Sequence, residues 1–263
     1  MLILLTNDDG IHSPGLAVLR ESVESLGEVV ICAPDRNCSA SSRKLTIDRP
    51  LRFEEIEPSV YAVDGTPVDC IIVAVHRLLD RVPDIVLSGI NLGPNLGEDV
   101  FYSGTVGAAM EARMYGAHAA AISLVSKRGI GLAYAGEVSR WVAELLMERR
   151  VPDGSVLNVN VPREAKGTGA RLTRLGKRRY EGFLSNLKGP SGREVCWIGG
   201  GQVVWEPDPD SDHAAVKDGS VSITPLGNDI TDYQTLSAMR MPGICHWPTE
   251  RAGDAGKRIQ AQP

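Results

Sequence analysis

Two adjacent carboxylates, Asp8 and Asp9, follow the apolar run Leu2-Ile3-Leu4-Leu5 near the start of the chain. Side by side they repel unless a cation or protons neutralise them. A hard divalent cation with oxygen ligands (Mg²⁺, Mn²⁺ or Ca²⁺) is the natural partner, and Ser39 and Asn91 can complete such a shell. The competing reading of Asp8-Asp9-Gly10 is a plain turn, with Asp8 capping a helix and Asp9 solvated.

A second set of residues suits an anion. Asn91-Leu92-Gly93-Pro94-Asn95-Leu96-Gly97 continues to Tyr102-Ser103-Gly104-Thr105-Val106-Gly107. Glycines let backbone N–H groups close on phosphate, and Ser103-Gly104-Thr105 opens a helix whose N-terminus favours negative charge. The P-loop lysine and the order of the dinucleotide-binding glycines are both absent. The plainer alternative is a loop ending in a Ser/Thr helix cap. Lesser candidates divide between site and surface roles. His12 lies close to the Asp pair, whereas His76 and His118 suit structural positions. Arg36, Arg43 and Lys44 add positive charge to the Ser39 segment. Lys177-Arg178-Arg179-Tyr180 is a basic cluster with one aromatic, where a nucleotide could stack or which could be a solvated hairpin face. Cys38, as a soft thiolate, mismatches an all-oxygen metal site.

The elements that must position these residues alternate. Leu2 to Thr6 reads as a buried strand, Ser13-Pro14 as the cap and first turn of a helix reaching Gly27, and Val29 to Ala33 as the next strand. A βαβ unit within 33 residues makes a parallel sheet the default. Thr66-Pro67 then caps a helix, Asp84 to Ser88 is a strand, and Thr105 to Tyr115 a helix. Ala119 to Leu124 (strand), Leu132 to Met147 (helix) and Val156 to Val161 (strand) continue the alternation, while Thr46 to Phe53 and Val60 to Val63 suit an antiparallel ribbon. The fold class is therefore α/β, a Rossmann-like, doubly wound, mostly parallel sheet over residues 1–165. In such a sheet ligands sit beyond the carboxyl ends of the strands, where all three polar loops fall. From 166 to 235 short β-like pieces (Glu194 to Ile198, Gln202 to Trp205, Val221 to Thr224) read as a hairpin extension, which packs on another subunit or back on the core. Residues 236–263 read as a polar, partly disordered tail.

Composition excludes other classes. The 263 residues are 43% apolar and 23% charged, enough for a substantial core and too apolar for bulk disorder. Lys plus Arg number 28 against 33 Asp plus Glu, a net charge of −5 that leaves no global footprint for a nucleic acid polymer. No run approaches the roughly 20 apolar residues needed to span a bilayer, so no membrane association is expected. The first residues lack the basic start of a signal peptide. Five scattered cysteines without a CxxC argue for a reducing, cytoplasmic setting.

Taken together, these residues resemble the SurE family, stationary-phase survival proteins that act as metal-dependent nucleoside-monophosphate phosphatases. The resemblance is carried by Thr6-Asn7-Asp8-Asp9-Gly10-Ile11-His12-Ser13-Pro14-Gly15, by Ala33-Pro34-Asp35-Arg36-Asn37 with Ser39, and by Gly65-Thr66-Pro67. It continues through Ser88 to Gly97 and Asp99 to Val106, then Ser211 to Val216 and Val221 to Leu226. It implies one divalent cation per subunit, Mg²⁺ or Mn²⁺, on Asp8, Asp9, Ser39 and Asn91. It also implies Asn95, Ser103, Gly104 and Thr105 near the substrate phosphate, with Asp8, Asp9 and Asn95 as the catalytic set. A homodimer or homotetramer built through the hairpins is the implied assembly. Two departures stand out: Ala40 replaces the family's usual glycine after the serine, and the polar ending replaces its usual C-terminal helix.

The expected chemistry is hydrolysis of nucleoside 5′-monophosphates, and on the same resemblance of 3′-nucleotides and short polyphosphate, by attack of a metal-activated water. A catalytically silent nucleotide-binding protein would use the same loops, and turnover separates the two. A response-regulator receiver needs an acceptor aspartate after its third strand, where this chain has Ser88-Gly89-Ile90-Asn91. A haloacid-dehalogenase-type phosphatase spaces its aspartates as DxD, unlike Asp8-Asp9.

Overall fold

Strands that are apolar at every position bury both faces, and the first such run, Leu2–Thr6, becomes β1, buried throughout. The computed structural model describes residues 1–164, 169–182, 184–188, 192–198 and 201–239. β2 (Glu28–Pro34), β3 (Phe53–Glu57), β4 (Val60–Val63), β5 (Ile85–Leu92), β6 (His118–Leu124) and β7 (Ser155–Val161) follow in order. β8 (Ala170–Leu172) and β13 (Val221–Gly227) complete a nine-stranded sheet of order β3-β4-β2-β1-β5-β6-β7-β13-β8. The run from β4 to β7 is parallel, and β3 and β13 pair antiparallel with β4 and β7. The order reverses at β1, with β2 on one side and β5 on the other, so a topological switch point opens beyond their carboxyl ends.

Alternation along the strands splits the core in two. Ile3 and Leu5 face one way, against Leu16, Leu19 and Val23 of α1 (Pro14–Val23) and the apolar face of α4 (Leu132–Met147). Leu2 and Leu4 face the other, against α2 (Pro67–Val73) and α3 (Gly104–Met114). α1 begins as its sequence dictates: Ser13 accepts from the Leu16 amide at 3.2 Å and Pro14 occupies the first turn. Thr66 and Asp69 form a reciprocal capping box at the start of α2, which passes into one π-helical turn at Ala74–Leu78.

Three expectations are corrected. The strand expected to end at Ser88 runs on through Leu92 with an irregular register between Ser88 and Asn91, so Asn91 sits at a strand end rather than in open loop. The ribbon begins at Phe53, not Thr46, because the Thr46 amide and hydroxyl turn back to the Asp69 carboxylate (3.0 and 2.6 Å). Val221 to Thr224 is not part of a hairpin; as β13 it closes the central sheet against β7. The hairpins themselves are nested: β10 (Leu184–Lys188) pairs with β11 (Glu194–Ile198), and outside them β9 (Arg178–Glu181) pairs with β12 (Gln202–Trp205). α5 (Asp212–Lys217) links β12 to β13.

Met1–Asn228 is one compact unit and Asp229–Pro263 a second. In the second, Asp232 caps α6 (Tyr233–Ala238) through the Thr235 amide and hydroxyl. The expected boundary at residue 165 lies outside the described residues; the expected tail of residues 236–263 starts inside α6, and its part beyond residue 239 lies outside the described residues. Among the described residues no helix is long and apolar enough to cross a membrane.

Helix α1 rests directly on the strand that carries Asn91. A Cβ at Gly15 would lie well inside contact distance of the Ile90 carbonyl oxygen, so only glycine lets helix and strand approach this closely. Gly15→Ala is expected to lower stability by roughly 1–3 kcal/mol, as overpacking does, read as the shift of a urea unfolding midpoint. An unchanged midpoint would refute the close approach.

Candidate active site at the switch point

β1 delivers Asp8 and Asp9 to the switch point, and the flanking loops close on them by hydrogen bonds. The Asp8 carbonyl accepts from the Cys38 amide at 2.7 Å, drawing in the loop after β2. The Asp9 carboxylate accepts from the Asn37 side chain at 3.3 Å and from the Leu92 amide at 3.1 Å, so it touches the loops of both neighbours. Asn37 in turn accepts from the Ser39 amide at 2.9 Å, and Asn91 donates its side-chain N–H to the Gly93 carbonyl at 2.8 Å. Asp8, Asp9, Ser39 and Asn91 therefore lie on segments joined to one another. The long segment after β2 is pinned further along by Ser42, whose amide and hydroxyl donate to Tyr102 and Phe101 carbonyls (3.0 and 2.6 Å). Ala40 takes the left-handed conformation that the family's glycine would adopt freely, at φ +58°.

Helix α3 begins against Asp8. The Thr105 hydroxyl donates to one Asp8 oxygen at 2.6 Å and the Thr105 amide to the other at 3.3 Å. Ser103 caps the helix, accepting from the Val106 amide at 3.1 Å. A Cβ at Gly104 would sit 3.0 Å from Asp8 Cβ and 2.5 Å from Ser41 Oγ, so the absence of a side chain there allows the seating. Thr105 was expected near phosphate; its hydroxyl is spent on holding Asp8. The Ser41 hydroxyl is buried with no hydrogen-bond partner.

Asp8 is only 4% exposed. Burial pushes its carboxyl up to about 6, and the Asp9 charge adds to the rise, while the Thr105 hydrogen bonds oppose it. Neither carboxylate forms an ion pair with a described Lys, Arg or His. Two acidic side chains, one of them buried, thus face a centre with no protein cation, beside an orphaned hydroxyl. The available donors are oxygens of carboxylate, hydroxyl and amide, which fit a hard divalent cation. Among the described residues no group of three or more His, Cys, Asp or Glu forms a metal cluster, and this set holds only two such side chains. Burial pushes the Cys38 thiol up, which suits its exclusion as a ligand.

Asn95 is buried and held on three sides. Its carbonyl accepts from the Asn158 and Asn160 side chains (2.9 and 3.0 Å), its amide donates to Asn160 at 2.9 Å, and its side chain donates to Ser123 at 2.8 Å. Sequence reasoning missed this cradle, although paired asparagines inside the strand Val156-Leu157-Asn158-Val159-Asn160 were its visible signal. It also missed Asn37, and Asp212, a fully buried carboxylate that accepts from Gly97 and Gly176 amides (2.7 and 2.9 Å). His12 is exposed, His76 meets Tyr115 edge-on at 5.1 Å, and His118 stands 3.8 Å from Asp153, far from the pair in the fold. The basic cluster divides: Arg178 turns inward while Lys177, Arg179 and Tyr180 are exposed.

Because the folded protein raises the Asp8 pKa, metal-free protein holds a proton there that the unfolded chain releases near pH 3.8. Asp8 costs nothing below that pH, and its penalty grows to about 3 kcal/mol as pH climbs through 6, then levels off. In EDTA-treated samples, urea unfolding of wild type relative to Asp8→Asn is expected to worsen by up to that amount between pH 4 and 7. A flat difference would show that Asp8 is not a desolvated charge.

The sequence pattern of the family described as Survival protein SurE matches residues 3–182. A protein of Geobacter metallireducens named 5′-nucleotidase SurE is 47% identical over 244 residues, covering 91% of this chain and 96% of that protein. One of the same name from Gemmatimonas aurantiaca is 45% identical over 255 residues, covering 90% and 96%. The crystal structure of the SurE protein from Aquifex aeolicus superposes with a TM-score of 0.81 at 38% identity, covering 91% of this chain and 98% of that one. With the Asp8-Asp9 pair at the switch point and a pattern match across most of the chain, this protein belongs to the SurE family.

Proposed function

We infer that the chain is a 5′-nucleotidase that hydrolyses nucleoside 5′-monophosphates to nucleoside and phosphate. The observation that carries this is the buried Asp8 beside Asp9, without a protein cation, at the switch point and against the start of α3. Its relatives of nearly full coverage bear the name 5′-nucleotidase. In this reading Asp8, Asp9, Ser39 and Asn91 hold one divalent cation, Mg²⁺ or Mn²⁺. Bound there, it supplies positive charge to phosphoryl oxygens and acidifies water.

The chain's own groups do the rest. Thr105 fixes Asp8, and Asn37 and Leu92 fix Asp9, so both carboxylates are oriented before substrate arrives. The N-terminus of α3, which begins at Gly104 after the Ser103 cap, lies toward the phosphate and favours its negative charge. Asn95, immobilised from β7, donates to a phosphoryl oxygen. One carboxylate of the pair takes a proton from the attacking water as its oxygen bonds to phosphorus and the bond to the 5′ oxygen breaks. The leaving nucleoside oxygen then picks up a proton. The apolar, exposed hairpin side chains Leu184, Leu187, Trp197 and Ile198 support assembly as a homo-oligomer, dimer or tetramer.

Phosphate release is the test, with EDTA-treated protein, Mg²⁺ or Mn²⁺ added back, and a panel of 5′- and 3′-nucleotides plus short polyphosphate. Release is expected only with metal, and Asp8→Asn is expected to lose turnover by roughly 100-fold or more while remaining folded. No release with any metal from folded protein would instead identify a silent nucleotide binder.

A further inference from the structure

Residues 41–43, on the segment after β2, run along the first turns of helix α3. Two glycines of the helix clear the way. A Cβ at Gly104 would lie 2.5 Å from the Ser41 hydroxyl oxygen and 3.2 Å from Asp8 Oδ2, and one at Gly107 would collide with the Ser42 carbonyl. One turn further on, Glu111 pairs with Arg43 at 3.5 Å. Ser41 is thereby held against the first residue of the helix, beside the carboxylate pair. Its neighbours Ala40 and Ser42 both take the left-handed conformation, at φ +58° and +54°, which residues with a side chain reach only at a cost.

The Ser41 hydroxyl is the anomaly of this corner. The residue is half-buried, yet its Oγ is shut away from solvent and has no hydrogen-bond partner. The polar groups around it are engaged: Asp8 accepts from Thr105 at both oxygens, Ser103 accepts from the Val106 amide, and the Ser42 hydroxyl donates to the Phe101 carbonyl. A buried donor left unpaired is costly, and here two strained residues hold it in place. Both costs fall where a substrate phosphate would meet the helix, which points to an acceptor brought by the ligand.

We propose that Ser41 is a further substrate-binding residue, its hydroxyl donating to a phosphoryl oxygen at the start of α3. The proposal rests on the 5′-nucleotidase reading. Rotation about the Cα–Cβ bond re-aims the hydroxyl without moving the loop, which Ser42 and Arg43 pin. Its place at the positive end of the helix suits an anion, to which an O–H gives a charge-assisted hydrogen bond.

Ser41→Ala tests this with readouts that a structural hydroxyl would not move together. Inorganic phosphate, titrated calorimetrically into Mn²⁺-saturated protein, is expected to bind the variant about tenfold more weakly than wild type. KM for AMP is expected to rise by about the same factor with kcat little changed. The urea unfolding midpoint is expected to hold or rise, because the variant removes an unpaired buried donor. No phosphate binding by wild type, or equal binding by the variant, overturns the proposal. So does a weakened affinity for Mn²⁺ in the absence of phosphate, which would make Ser41 a cation ligand instead. If no phosphomonoester is hydrolysed, the 5′-nucleotidase reading fails by itself, and the phosphate titration still decides the role of Ser41.

Discussion

A carboxylate removed from water, next to a second carboxylate and without a protein cation, must be stabilised by something the fold provides or admits. Asp8 is that group, and much of the surrounding architecture follows from keeping it in place. Thr105 binds both of its oxygens, Gly104 clears room for the helix that brings Thr105, and the Cys38 amide ties its backbone to the next loop. These contacts lower the cost of the charge without cancelling it, since burial still holds the carboxyl near 6. The proposed cation on this oxygen-lined centre would supply the positive charge that the protein's own side chains do not.

The other half of the site is fixed from the far side of the sheet. Asn158 and Asn160 project from a buried strand, and the side-chain amides of both donate to the Asn95 carbonyl. Asp212 accepts from the Gly97 amide. The loop between β5 and α3 is thereby immobilised at two points, although it has little regular structure of its own beyond a 3₁₀ turn at Gly97–Phe101. Its order comes from side chains 63 to 115 residues away in sequence.

This distance in sequence explains what could and could not be read from residues alone. Strands and helices through β7 were legible because apolar periodicity and caps such as Ser13-Pro14 are local signals. The Asp pair was legible because adjacent like charges after a buried strand demand an explanation. The bond from Thr105 to Asp8 was not, since nothing within a few residues of Thr105 marks it as other than a helix-start hydroxyl. Asn91 looked like loop because Gly89 and Asn91 weaken strand propensity, yet pairing with β6 carries the strand through them. Val221 to Thr224 resembled its hairpin neighbours because a strand inserted between β7 and β8, far away in sequence, carries no local mark of its partners. Arg178 illustrates the same limit: burial is decided by what packs over it, and its neighbours Lys177 and Arg179 remain in solvent.

The closure of the sheet by β13 has a consequence for the protein as it is being made. The loops bearing Asp8, Ser39 and Asn91 all leave the ribosome within the first 100 or so residues, and β1, β2 and β5 can pair soon afterwards. The asparagines that hold Asn95 come from β7, and Asp212 and β13 follow only after the hairpins are complete. A nascent chain therefore carries its acidic pair before the side chains that fix Asn95 and Gly97 have been made.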